Sequence, residues 1–265
     1  MLADTLYRVP RTSGLHVLQR RGSGGATELT SSRLRLAANE HATYHTPTEE
    51  TVIVLQEGTG VLEADGRQWP VKRRGVFAER ATALYLPAGV EVKVQAQSPL
   101  EAILMSTPAV PGGRAVLAGP DAVSVQPRGR GQFQREVHNI FVDDPHVKRL
   151  LVGETFNPPG NWSSYPPHKH DGRDGEPRLE EVYHYRIDPP QGFGHQTLYT
   201  SDGESVTHVV RDGDAVLLPY GYHPVAAAPG YRLYYLWALA GAERRMALYE
   251  DPDHKWVNEE LGIRN

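Results

Sequence analysis

Short apolar and β-branched runs, broken by turn residues, recur along the chain. Thr51-Val52-Ile53-Val54-Leu55 leads through Glu57-Gly58-Thr59-Gly60 into Val61-Leu62-Glu63-Ala64 and the turn Asp65-Gly66. Asp-Gly between two such runs is a hairpin signal. Further runs follow at Ala83 to Leu86, Val90 to Ala96 and Leu100 to Met105, while long helical periodicity is scarce. This spacing predicts an all-β chain, an antiparallel sandwich or barrel, and argues against alternating βαβ units.

After Thr107 the texture changes to Pro108-Ala109-Val110-Pro111-Gly112-Gly113, Gly119-Pro120 and Gln126-Pro127-Arg128-Gly129-Arg130-Gly131. Residues 108–132 read as a linker over the surface, with Val116, Leu117, Val123 and Val125 as its docking points. The second half then echoes the first. Glu180-Glu181-Val182-Tyr183-His184-Tyr185 follows Glu49-Glu50-Thr51-Val52-Ile53-Val54, and Leu217-Leu218-Pro219-Tyr220-Gly221 follows Tyr85-Leu86-Pro87-Ala88-Gly89. Both echoes come in the same order, as an internal duplication requires. The expected division is a first β-domain over 1–107, the linker, and a second β-domain over 133–265. The closing Asp251-Pro252-Asp253-His254-Lys255-Trp256 is expected to pack against the second domain.

Composition narrows the function. The 265 residues carry 28 Lys+Arg against 32 Asp+Glu, a formal net charge of −4, which offers no electrostatic footprint for nucleic acid or an acidic membrane. No apolar run approaches the roughly 18–20 residues of a membrane helix. The first residues lack the apolar core of a signal peptide, so a cytoplasmic location is the expectation. With no Cys there is neither a disulfide framework nor a thiolate ligand or nucleophile.

The chemistry concentrates in Pro166-Pro167-His168-Lys169-His170-Asp171. On a strand, residues two apart share a face, so His168 and His170 point together and Lys169 points away. Glu181 opens the next strand, and His223 follows the turn Pro219-Tyr220-Gly221. His-x-His, a following Glu and a distant His form the three-His, one-carboxylate pattern of the cupins, which leaves open positions on a divalent metal. Glu180 competes with Glu181. Glu181 is preferred because Val182 then faces out while Tyr183 and Tyr185 join the metal face as candidate catalytic phenols. One divalent ion is expected, zinc first, with manganese, iron and nickel as alternatives. Trp162, Phe193 and Trp237 read as core or pocket wall. In the first half Glu91 stands where His223 stands, and His41, His45 and Glu50 do not share the spacing, so that half is expected to be metal-free.

The stretch Asn161-Trp162-Ser163-Ser164-Tyr165-Pro166-Pro167-His168-Lys169-His170-Asp171 resembles the bacterial 5-deoxy-glucuronate isomerases of myo-inositol catabolism. The likeness continues through Glu180-Glu181-Val182-Tyr183, Pro189 to Gly194, Pro219 to Pro224, Tyr234-Tyr235-Leu236 and Asp251 to His254. It thus covers most of 128–257. Asn157, Trp237 and Ala238-Leu239 depart from that family's pattern. The resemblance implies a bicupin, with two jelly-roll domains, that converts 5-deoxy-glucuronate to 5-dehydro-2-deoxy-gluconate using His168, His170, Glu181 and His223 as metal ligands. It implies a small sugar-acid substrate and a monomer or small homo-oligomer. Arg178 and Arg186 lie near the site in sequence, but neither is assigned to the substrate carboxylate. The rival readings are a cupin dioxygenase with iron on the same ligands, an isomerase of another uronate, and a non-catalytic bicupin.

Overall fold

The structure, a computed structural model, describes residues 2–8 and 10–260. It is built from β-strands joined by short turns, and each half folds about one long central strand. In the first half that strand is Glu49–Ala64. It pairs with Ala83–Leu86 on one side and Leu100–Pro108 on the other, and Thr30–Leu36 and Gly14–Gln19 continue outward. In the second half, Leu179–Asp188 pairs with Ala215–Leu218 and Arg232–Gly241, followed by Leu151–Asn157 and Arg135–Phe141. The two strand orders are the same, which is the topology of a duplicated unit. A separate four-stranded sheet, Trp162–Ser163, Val225–Ala227, Phe193–Tyr199 and Ser205–Arg211, faces the second central sheet.

The ends of the two sheets are exchanged. Leu6–Tyr7, from the start of the chain, pairs with Ala215–Leu218 in the second half, while Val116–Ala118 pairs with Ala83–Leu86 in the first. The stretch expected as a linker over 108–132 is therefore divided between the sheets, and its last part, Ser124–Arg128, is a strand on Arg135–Phe141. Pro and Gly mark turns in sequence, yet edge strands tolerate both because one side of the ladder needs no partner.

Three apolar cores result. One fills the first half (Leu34, Ile53, Leu84, Val92, Leu104) and one fills the second (Leu179, Tyr185, Leu198, Leu218, Leu233). The third lies between the halves, where Val52, Val54 and Tyr85 meet Val152, Val182 and Leu236. Both faces of Leu179–Asp188 are consequently buried. Glu181, Tyr183 and Tyr185 turn into the second half, and Glu180, Val182 and His184 turn toward the first. At the seam between halves Arg73 donates to Glu154 at 2.8 and 3.0 Å, with Tyr234 donating to the same carboxylate at 2.7 Å.

The register corrects one detail of the internal echo. Glu181 pairs with Leu218, and in the first half it is Thr51, not Glu50, that pairs with Leu86. Glu50 therefore corresponds to Glu180, and the position of Glu181 is occupied by a threonine whose hydroxyl contacts Ser106 at 2.9 Å. Among the described residues no helix is long and apolar enough to cross a membrane.

Candidate metal centre

His168 and Lys169 form a two-residue strand against Tyr249–Glu250, so the closing segment of the chain fixes the His-x-His stretch. A further backbone bond, Asp251 to the carbonyl of Pro167 at 2.8 Å, continues this contact. Lys169 does point away from the histidines, but not into solvent. Its ammonium is buried and donates to Asp171 at 2.7 Å and Glu176 at 2.6 Å, with Asp174 at 2.8 Å. Asp171 also accepts from the backbone N–H of Gly221 at 3.3 Å, which ties the His-x-His stretch to the turn that carries His223.

His170, Glu181 and His223 converge, with one ligand atom from each lying within 4.8 Å of the others. His170 Nε2 is 3.0 Å and His223 Nε2 3.5 Å from Glu181 Oε2. The His168 ring stands edge-on to His223 with centroids 4.9 Å apart, at the border of this trio. His170 Nδ1–H donates to the carbonyl of Leu179 at 2.8 Å, and His223 Nδ1–H donates to that of Gly221 at 3.0 Å. These bonds turn both Nε2 atoms toward Glu181, as backbone carbonyls do for metal-bound histidines.

Two observations show that a cation fits this donor set. His223 Nε2 is buried without any hydrogen-bond partner. Moreover, His170 Nε2 faces Glu181 Oε2 at 3.0 Å, and against burial the hydrogen bond and charge of Glu181 raise the ring above its ordinary value, so a proton stands where a cation would. A cation among nitrogen, nitrogen and oxygen satisfies all three. Burial drives His168 down to about 3, with the charges of His170 and Arg135 adding to it. His223 is pushed well below the ordinary histidine value by burial and then by both other histidines. Neutral rings are the form that binds a metal. Burial likewise lifts Glu181, against the hydrogen bond from His170. Among the described residues no second such group converges. In the first half His41, His45 and Glu91 are exposed, and Glu50 accepts backbone bonds from Arg149 and Leu150 at 2.7 and 2.8 Å.

His168, His170 and Glu181 line a cavity of about 830 Å³. Tyr183 lines it, stacked on Tyr235 at 4.2 Å, with its hydroxyl 3.1 Å from Ser164 Oγ. Ser164 has φ of 49°, a left-handed conformation that non-glycine residues adopt at a strain of about 1–3 kcal/mol. Tyr185 shares the phase of Tyr183 but does not line the cavity. Its hydroxyl donates to Gln196 Oε1 at 2.5 Å, and the Gln196 amide donates to the carbonyl of His223 at 2.8 Å. Trp237 is cavity wall, as expected, and donates to Thr155 Oγ1 at 3.2 Å. Trp162 and Phe193, expected as core or wall, are 39% and 38% exposed because they lie on the outer face of the four-stranded sheet.

The profile of the KduI/IolB family matches residues 9–257. The chain belongs to the KduI/IolB family. Within it, a 5-deoxy-glucuronate isomerase of Geobacillus kaustophilus is 40% identical over 231 residues, 84% of this chain and 83% of that protein. The 5-deoxy-glucuronate isomerase of Geobacillus thermodenitrificans is 41% identical over 217 residues, 80% and 79% of the two chains. An IolB-like protein of Salmonella typhimurium superposes with a TM-score of 0.91 at 34% identity, covering 96% of this chain and 99% of that one. Oxalate decarboxylase of Bacillus subtilis superposes at 0.64 with 14% identity over the whole chain and 83% of its own, a likeness of fold alone, and that fold is the cupin. The KduI/IolB chain described here is thus a bicupin.

Cavity residues from outside the motifs went unread in sequence: Gln126, Arg128 and Arg135 on two neighbouring strands, and Leu248 and Glu250 from the closing segment. The alternation Arg135, Val137, Asn139 along Arg135–Phe141, all three facing the cavity, was the available signal.

Proposed function

We propose that this KduI/IolB chain is the aldose–ketose isomerase that converts 5-deoxy-glucuronate to 5-dehydro-2-deoxy-gluconate. The observation that carries the reading is the convergence of His170, Glu181 and His223 beside a cavity that His170 and Glu181 line, in a chain about 40% identical to isomerases of that name over most of its length. The reaction moves a proton from C2 of the aldose to C1, and its barrier lies in the poor acidity of the C2 proton.

His170, Glu181 and His223 would hold one divalent ion, with His168 as the fourth ligand at the mouth of the trio. Zinc suits this nitrogen and oxygen set first. The ion, when bound, supplies Lewis-acid polarisation of the C1 carbonyl and C2 hydroxyl oxygens. The chain supplies the rest. Tyr183, protonated at neutral pH as tyrosines ordinarily are, presents its hydroxyl to the oxygen on which negative charge develops. Ser164 and the stacked Tyr235 hold that hydroxyl in place. Tyr185 acts one step removed, by fixing Gln196 and through it the backbone of His223. Of the two candidate phenols, Tyr183 is therefore the catalytic one and Tyr185 the positioning one. Trp237 and Leu239 give the cavity an apolar wall that limits water around the sugar.

The test is proton NMR of 5-deoxy-glucuronate with metal-loaded protein in deuterated water. Ketose must appear, and it must fail to appear with the His170→Ala, His223→Ala double variant. Unchanged sugar with fully loaded wild-type protein contradicts the reading.

A further inference from the structure

A sugar acid presents two ends. One carries the aldehyde and hydroxyl that react. The other is a carboxylate, which needs a cation once water is excluded. The cationic side chains lining the cavity are Arg128, Arg135 and Lys255, and the acidic ones are Asp143 and Glu250 beside Glu181. Arg178 is exposed and off the cavity, and Arg186 is committed to Asp212 at 2.9 Å and Glu101 at 3.6 Å.

Arg128 and Arg135 are direct register partners on the antiparallel strands Ser124–Arg128 and Arg135–Phe141, and both line the cavity. Like charges set opposite one another across a strand pair destabilise it unless something answers them. Among the described residues neither arginine has an ion pair. Arg128 Nη2 donates to the neutral Oε1 of Gln126 at 2.7 Å, and Arg135 Nη1 donates to the carbonyls of Phe133 and Tyr165 at 3.2 and 3.3 Å. Glu250, across the cavity, accepts from Asn258 at 2.9 Å. Burial holds the Arg135 guanidinium below its ordinary value, and the charge of Arg128 adds to this against the opposing pull of Tyr235, Tyr183 and Glu250.

The backbone is shaped around this pair. Directly after Arg128 the chain turns at Gly129 with φ of 71°, and a Cβ there would stand 2.8 Å from Arg135 Nη1. The Arg135 guanidinium is thus held at Nη1 by two carbonyls and the glycine turn, and the side chain lines the cavity.

We infer that the cross-strand pair Arg128 and Arg135 is the anchor for the substrate's carboxylate, an assignment that rests on the sugar-acid reading above. Two guanidinium forks on one carboxylate fix both its position and its plane, which a lysine cannot do. The anchor sets the carboxylate end on the outer strands and leaves the aldehyde end for the histidines. It makes the enzyme selective for an acid over the neutral aldose in which CH2OH replaces the carboxylate.

Two measurements test this. In steady-state kinetics, Arg135→Gln should raise KM for the acid by about 30- to 1,000-fold, the loss expected when one partner of a partly buried charge pair is removed. Bound metal should stay at the wild-type level. The preference for acid over neutral aldose should fall by the same factor, and Arg135→Lys should recover part of it. Arg128→Gln, at an exposed edge position that tolerates substitution, should raise KM about 10-fold. In calorimetry with metal-free protein, the C1-reduced acid, which cannot isomerise, should bind wild type and lose affinity in the same order of variants. Wild-type KM and wild-type binding in both glutamine variants would overturn the anchor. If the C1-reduced acid binds through the arginines but wild type leaves the acid unconverted, the anchor stands and the isomerase reading fails.

Discussion

Glu180 and Glu181 are neighbours on one strand and serve opposite faces of it. Glu181 reaches His170 at 3.0 Å in the candidate metal centre. Glu180 accepts from the backbone N–H groups of Thr27, Glu28 and Leu29 at 2.5, 3.2 and 2.8 Å, and so joins the second half to the first. Glu50 does the reciprocal work, accepting from Arg149 and Leu150. The duplicated carboxylate is thus the inter-half one, and Glu181, the carboxylate facing the histidines, has no counterpart in the first half.

Removing these two acids should therefore separate stability from metal binding. Glu180→Ala leaves three N–H groups without an acceptor, that of Leu29 fully buried and those of Thr27 and Glu28 partly so, and should lower stability by about 2 kcal/mol, or roughly 4–8 °C in Tm for a chain of this size. Its bound metal should be unchanged by elemental analysis. Glu181→Ala should show the reverse, with metal lost and Tm of the metal-free protein nearly preserved.

The two tyrosines should also separate. Tyr183→Phe removes the hydroxyl at the cavity wall and should lower kcat by about 10²-fold with metal content intact. Tyr185→Phe leaves Gln196 without its donor. It should weaken metal affinity by about 10-fold through the His223 backbone and change kcat less in metal-saturated protein. Equal effects on kcat at saturating metal would contradict this division.

The nest around Lys169 predicts a pH dependence. Its carboxylate partner Glu176 is held down to about 2, where the cost of burial is outweighed by the Lys169 ammonium and nearby backbone N–H groups. A carboxylate lowered in the folded state adds stability that is complete above its unfolded value, near 4.5, and is lost as pH falls through about 2. The Tm difference between metal-free wild type and Glu176→Gln should be largest above pH 4.5 and vanish toward pH 2. A difference that grows on acidification would contradict it. Lys169→Met, which removes the buried cation between Asp171 and Glu176, should be destabilised by about 3 kcal/mol.

Much of the centre was legible in sequence because it depends on local rules. Period-two alternation places His168 and His170 on one side of Lys169, and phase along one strand separates Glu181 from Glu180. What depends on distant pairing was not. Leu6–Tyr7 is too short to carry a pattern, yet it completes the second-half sheet. Ser124–Arg128 contains Pro127 and precedes Gly129, so it reads as linker although it supplies a wall of the cavity. Phase put Tyr185 with Tyr183, but only the packing of Gln196 against it decides which hydroxyl meets the cavity. The echo of Glu49-Glu50 in Glu180-Glu181 is offset by one residue, and only the register to Leu86 and Leu218 reveals that.

The central claim is that His170, Glu181 and His223 hold the ion on which isomerisation depends. The most direct measurement strips the protein with a chelator and restores zinc in substoichiometric steps, recording bound metal and ketose formation from 5-deoxy-glucuronate on the same samples. The account predicts turnover that rises linearly from near zero and saturates at one ion per chain. Full turnover in the metal-free protein, or saturation with no ion bound to the histidine trio, would contradict it.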